Sequence, residues 1–162
     1  MNRYVAGAIG GLLATVPMTA VMTTLFQKLQ PPQQYPLPPR EITEVVVDRI
    51  THRNIGDRPL TYLSLIAHFA YGAATGALYP LFCRRPLRPI NDGATFGLAI
   101  WTASYLGWLP AAHILRPATQ HPPARNVLML VAHMVWGAST VVIGEALRDR
   151  LICTARGGAS RE

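Results

Sequence analysis

The chain has 162 residues, of which half are hydrophobic and only 14% charged, against roughly 25% in soluble domains. Its formal charge of +7 would suit a nucleic-acid binder. The arginines, however, sit in short loops and at helix ends, and no RNA- or DNA-binding signature is present. Composition therefore excludes a nucleic-acid partner and points to an all-α membrane protein whose basic loops meet the headgroups of a lipid bilayer.

Asp, Glu, Lys and Arg are absent from residues 4–26, 60–83, 93–115 and 126–144. Each stretch is close to the roughly 20 residues that cross a ~30 Å hydrocarbon core at a rise of about 1.5 Å. None has the polar face of a soluble helix. Four transmembrane helices are expected in a single membrane domain, at about 4–26, 61–83, 93–115 and 126–147.

The first span carries a GxxxG pair, Gly7 and Gly11, and a threonine stripe at Thr15, Thr19 and Thr23. Its apolar run exceeds the ~7–15 residues of a signal-peptide core and no A-x-A-like site follows, so it is read as a structural helix. The glycine pairs suit close helix packing within the bundle or in a homo-oligomer. The threonines are expected to back-bond to their own helix.

A loop with Pro38, Pro39 and Arg40 follows, then a stretch in which Ile42, Val45, Val46 and Ile50 form one face and Glu41, Glu44 and Asp48 the other. It predicts a short amphipathic helix at about 39–53, lying on the membrane surface or packed on the loops. The second span holds His68, with Tyr71, Gly72 and Thr75 on the same helical face.

The third span opens on another GxxxG pair, Gly93 and Gly97, and ends near Pro110 and His113, where a helix-end role is expected for the histidine. A second proline loop, Pro122, Pro123 and Arg125, leads to the fourth span with His133, Trp136, Gly137 and Thr140 on one face. Cys83 and Cys153 form no metal or disulfide pattern. Glu145 is expected to pair with Arg148 or Arg84.

Self-comparison finds a duplication. A shift of 65 positions lays His68, Gly72, Ala73, Thr75 and Arg85 on His133, Gly137, Ala138, Thr140 and Arg150. Gly7 and Gly11 likewise match Gly93 and Gly97. Two tandem helix pairs follow, about 1–85 and 90–150, as a parallel repeat about an axis normal to the membrane. The two histidines then lie at equal depth and can face one another.

With four crossings, both termini share a side with the short loop containing Arg84, Arg85 and Arg88. The base count is eight there against seven opposite, but the first set is concentrated at helix ends, which puts both termini in the cytoplasm.

The chain resembles the YagU-type bacterial inner-membrane proteins, a family whose biochemical role is not established. The resemblance rests on Pro36–Arg40, on His68 with Tyr79, and on Gly93, Gly97 and Pro110. It continues through His133, Val135, Trp136 and Ser139 to Leu147–Arg150. It departs in a shorter loop after Arg40 and in Val141, where an acidic group is expected. The resemblance implies an inner-membrane location and this architecture, and no mechanism.

Three functions compete for His68 and His133. They act as polar packing groups of a non-catalytic structural or stress-related component, as a proton- or ion-responsive site of a small transporter, or as axial ligands of a haem-binding electron carrier. No Ser-His-Asp order, HExxH, phosphate loop or paired intramembrane carboxylates supports an enzyme, and no metal site other than haem is expected.

Overall fold

The computed structural model describes residues 1–31, 36–52, 55–83 and 86–158, with side chains as far as 149. Among them every regular element is helical: α1 (Arg3–Phe26), α2 (Pro38–Thr51), α3 (Asp57–Gly76), α4 (Tyr79–Phe82), α5 (Pro89–Thr102), a π-helical stretch (Ala103–Trp108), α6 (Leu109–Ala111), a 3-10 turn (Ala118–Gln120) and α7 (Pro123–Gly158). The expectations placed on Arg84, Arg85, Arg150 and Cys153 fall outside the described side chains.

Three helical segments are long and apolar enough to cross a membrane: Arg3–Phe26, Asp57–Phe82 and Pro123–Asp149. Their outer faces present large apolar side chains, among them Val16, Tyr62, Ile66, Leu81 and Val127. Exposure of this kind across whole helices has no stable partner in water and suits lipid.

The stretch expected to form a continuous third span at 93–115 is instead broken. Its α-helix ends at Thr102, and a wide turn follows in which Leu109 N–H reaches back five residues to the Ser104 carbonyl. The cause lies one turn ahead. Pro110 has no N–H to donate and its ring crowds the carbonyl four residues back, on Leu106. Widening the helix to π geometry, with Gly107 outside helical angles, relieves that clash. Helix α6 then stops at Ala111, and His113 adopts a left-handed backbone with φ 54°.

Glycines set the helix spacing. A Cβ on Gly7 would strike the Gly76 carbonyl, and one on Gly11 the Gly72 carbonyl, so α1 and α3 meet backbone to backbone. Gly93 and Gly97 do the same against Gly137 and the His133 carbonyl on α7, and Gly10 against Thr140. The GxxxG pairs are thus used inside the chain. The two pairs differ in register, however. Gly11 meets Gly72, whereas its counterpart Gly97 meets His133, which the repeat equates with His68, one turn away.

The packing order departs from twofold symmetry as well. Helix α7 packs extensively on both α1 and α5, and α1 packs on α3, but α3 and α5 make no comparable contact. One side of the bundle is therefore closed, and the other is held apart.

These close approaches predict a contrast. Gly11→Ala and Gly97→Ala must push a carbonyl away and should each lower stability by about 1–3 kcal/mol, the usual cost of overpacking. Gly56, which has open space around it, should accept alanine with little loss. Thermal unfolding of the detergent-purified variants measures both.

Candidate functional site

The gap between α3 and α5 is a cavity of about 190 Å³. His68, Tyr71, Gly72 and Thr75 line it from α3, and His133 and Trp136 from α7. Thr15 and Met18 of α1 form its back wall. Ile100, Ser104, Tyr105, Trp108 and Leu109 face it from α5 and the segment that follows. No Asp, Glu, Lys or Arg is among the lining residues.

Most hydroxyls around the cavity are committed to their own helices. Thr15 donates to the Gly11 carbonyl (2.8 Å), Thr75 to Tyr71 (2.7 Å), Thr43 to Pro39 (2.7 Å) and Ser104 to Ile100 (2.7 Å). Because the Ser104 proton is spent on Ile100, the Tyr71 hydroxyl is the donor in its 2.8 Å bond to Ser104 Oγ. That bond ties α3 to the π-helical segment across the gap.

His133 is fully packed, edge-on to Tyr105 with centroids 5.9 Å apart. Its Nδ1 lies 2.8 Å from the Met129 carbonyl. A carbonyl only accepts, so Nδ1 carries the proton and Nε2 of the neutral ring is the acceptor. His68 is half-buried and makes no hydrogen bond. Both residues line the same cavity.

Toward the termini the cavity is closed by aromatic packing. Phe96 stacks on Trp136 at 5.6 Å and meets Tyr79 at 5.3 Å and Phe82 at 5.5 Å. Trp136 Nε1 donates to the Gly11 carbonyl at 3.1 Å, locking α7 to α1 beneath the floor.

At the opposite end α2 is the roof, with Pro38, Pro39, Ile42 and Thr43 facing inward. It is pinned to three elements. Arg125, at the start of α7, bonds Glu41 at 2.7 Å with only 8% of its side chain exposed. Arg40 pairs with Asp57 at the start of α3. Arg49 donates to the carbonyls of Ala112, at 2.8 Å, and His113, capping the end of α6 where orphan carbonyls need donors. What remains open is the side, where the rim residues Ala67, Tyr71 and Trp108 are exposed.

A match to DUF1440, described as a protein of unknown function, runs over residues 30–142. The chain belongs to DUF1440. The match takes in the α2 roof and every lining residue except Thr15 and Met18 of α1. No curated protein and no solved structure matches the chain.

Of the residues singled out in this DUF1440 sequence, His68, Tyr71, Gly72, Thr75, His133 and Trp136 converge on the cavity. His113 does not: its side chain is exposed at the end of α6, and only its backbone is engaged, its N–H by the Pro110 carbonyl and its carbonyl by Arg49. Thr140 is buried in the α1–α7 contact and bonds the Trp136 carbonyl. Pro122 and Pro123 open α7, the latter at its first position, as prolines do.

The loop residue His121 bonds the Arg116 carbonyl, and burial, reinforced by the nearby Arg125 charge, holds its pKa below the ordinary value. Glu145 pairs with Arg148 at 2.7 Å. The three threonines of α1 bond back to their own helix.

Sequence reasoning missed Tyr105, Ser104, Trp108 and the inward face of α2. Ile100, Ser104 and Trp108 lie four residues apart and so share one face, which was a readable signal. The π-turn that re-aims that face was not readable. The ≥3-residue clusters of His, Cys, Asp and Glu that would hold a metal ion are absent among the described residues. A cavity near 150 Å³ accepts a ligand the size of benzene, so a tetrapyrrole would require α3 and α5 to separate.

The ionic clamps differ in burial, and so should their mutants. Arg125→Met leaves Glu41 without its buried partner and should cost about 2 kcal/mol, below the 3–5 of a fully buried pair because Glu41 is partly solvated. Arg40→Met removes an exposed pair and should change stability by less than about 0.5 kcal/mol. Equal losses in thermal unfolding would contradict the assignment of Arg125 as the main clamp.

Proposed function

We propose that this DUF1440 protein is a non-catalytic, four-crossing component of the bacterial inner membrane that holds a small lipophilic ligand between its helices. The observation that carries this reading is the shape of the cavity: among the described residues it is roofed by α2, floored by the Phe96 cluster, and open sideways. A channel needs openings at both ends. A site for a molecule dissolved in the bilayer needs one facing lipid.

The fourth crossing in this reading is the helical stretch 89–111, interrupted but continuous, which at about 1.5 Å per residue suffices for a ~30 Å core. Its π-turn lies against the cavity, where irregular backbone at membrane depth is tolerated. Both termini are cytoplasmic, and α2 lies at the periplasmic surface. The YagU-like character and the tandem-pair origin belong to the same proposal. A homo-oligomer would form through the outward apolar faces, because the glycine pairs are occupied within the chain.

A second reading, a proton or ion path through His68 and His133, is favoured by the lack of any hydrogen bond at His68. It is disfavoured by the apolar walls and by the aromatic floor, which leaves no polar route toward the termini.

Proteoliposomes separate the two. The protein should carry no pH-dependent flux above protein-free vesicles, and His68→Ala/His133→Ala should leave flux unchanged while lowering thermal stability. A flux abolished by the double substitution would establish the transport reading instead. Reporter fusions should place both termini inside the cell and the α2 loop outside.

A further inference from the structure

The reading above leaves the ligand unspecified, and the cavity walls constrain it further. Six of the lining side chains are rings: His68, Tyr71, Tyr105, Trp108, His133 and Trp136. Such walls favour a flat ring by stacking and edge-on contacts. The volume of about 190 Å³ takes one six-membered ring with small substituents, since an apolar cavity near 150 Å³ binds benzene. An alkyl tail on that ring has an exit past the exposed Ala67, beside the Tyr71–Trp108 ring contact (centroids 6.1 Å) that forms the edge of the rim.

Charge is the next constraint. No ionic side chain lines the cavity. An anion or cation buried there would lack a fixed partner, at a cost of several kcal/mol. The ligand head is therefore neutral.

The remaining hydrogen-bonding capacity then selects the head group. Thr15, Thr43, Thr75 and Ser104 have given their protons to backbone carbonyls, and Tyr71 has given its own to Ser104. Two kinds of free capacity are left. His133 offers a lone pair at Nε2, because Nδ1–H is held by Met129. His68, the Tyr105 hydroxyl and the Trp108 indole N–H belong to lining residues, have no hydrogen bond of their own and can donate. A hydroxyl donates to one neighbour and accepts from another, and so matches both kinds with a single uncharged atom. A ketone or quinone carbonyl would leave Nε2 of His133 unmatched, and a hydrocarbon would leave all of these groups so.

We infer that the cavity binds an uncharged aromatic alcohol bearing an alkyl tail, a phenol- or quinol-type amphiphile. Its ring hydroxyl donates to His133 and accepts from His68, and its tail remains in the bilayer. This inference rests on the ligand-binding reading proposed above and assigns that site its chemical class.

The test uses the full-length protein in phosphatidylcholine nanodiscs, with tryptophan emission as the readout, since Trp108 and Trp136 line the cavity. Three probes of similar size are titrated: 4-hexylphenol, hexylbenzene and heptanoate. The expected result is saturable binding of 4-hexylphenol, with hexylbenzene roughly threefold to tenfold weaker, the worth of one or two net hydrogen bonds. Heptanoate should show no saturable binding.

His68→Leu and His133→Leu should each weaken 4-hexylphenol part of the way toward hexylbenzene, and the double substitution should bring it to that level, without weakening hexylbenzene. His68 makes no hydrogen bond in the protein, so His68→Leu tests the point even if His133→Leu fails to fold. Ala67→Phe, which fills the rim, should abolish saturable binding of every probe.

Equal affinity for 4-hexylphenol and hexylbenzene, or preference for heptanoate, overturns the chemical class while leaving a ligand site in place. No saturable binding of any probe, or binding unaltered by Ala67→Phe, overturns the ligand-binding reading itself.

Discussion

The carbonyl of Gly11 is the point on which the bundle turns. It accepts Trp136 Nε1 from α7 and the Thr15 hydroxyl from its own helix, while the Gly11 backbone lies directly against Gly72 and Gly76 of α3. Within a bilayer there is no hydrophobic drive between helices, so association relies on close packing and interhelical hydrogen bonds. Both are concentrated here. Any side chain at position 11 would force α3 away and displace the tryptophan that floors the cavity.

That contact also explains why the gap lies where it does. Gly10 brings α1 against Thr140 and Gly144, and Gly93 and Gly97 bring α5 against α7, so three helices form a dense layer. Helix α3 packs on this layer mainly through α1, with Gly72 also near Trp136 of α7. With α3 held on one flank and α5 on the other, their facing sides cannot meet, and Tyr71 spans the distance to Ser104 instead. The one-turn difference in register between the two glycine pairs moves His133 inward against Gly97, while His68 stays half-exposed. Two residues that the sequence presents as equivalents thereby acquire different hydrogen bonding: His133 is bonded to Met129 at Nδ1, and His68 is unbonded.

The roof is held by a different kind of force from the floor. At the roof the side chains are partly solvated and ionic contacts carry the load: Arg125 with Glu41, Arg40 with Asp57, and Arg49 on the carbonyls just after α6. The same break that ends the third helix exposes those carbonyls, so Pro110 and Gly107 do two things at once. They turn Ser104, Tyr105 and Trp108 toward the cavity, and they create the acceptor to which α2 is tied. The two proline-arginine motifs, far apart in the chain, belong to this one assembly, Arg40 on the roof and Arg125 beneath it.

Three apolar helices and the short α2 were legible in the sequence because they depend on local properties: an uncharged run long enough for a bilayer, and an apolar stripe beginning at prolines. The glycine positions and the shared face of His68, Tyr71, Gly72 and Thr75 were legible for the same reason, since helical periodicity fixes which side chains lie together. The break at Ala103–Trp108 was not, although Gly107 and Pro110 are plain to see, because a proline in a membrane helix is tolerated in several ways and only the neighbours select one. Nor was the cavity legible, since Tyr105, Ser104 and the α2 residues reach it from separate elements. The sequence alone determined the helices and the faces they offer. The tertiary structure decided which faces meet and which stand apart, because backbone contact at Gly11, Gly72 and Gly97 sets distances that no single helix encodes.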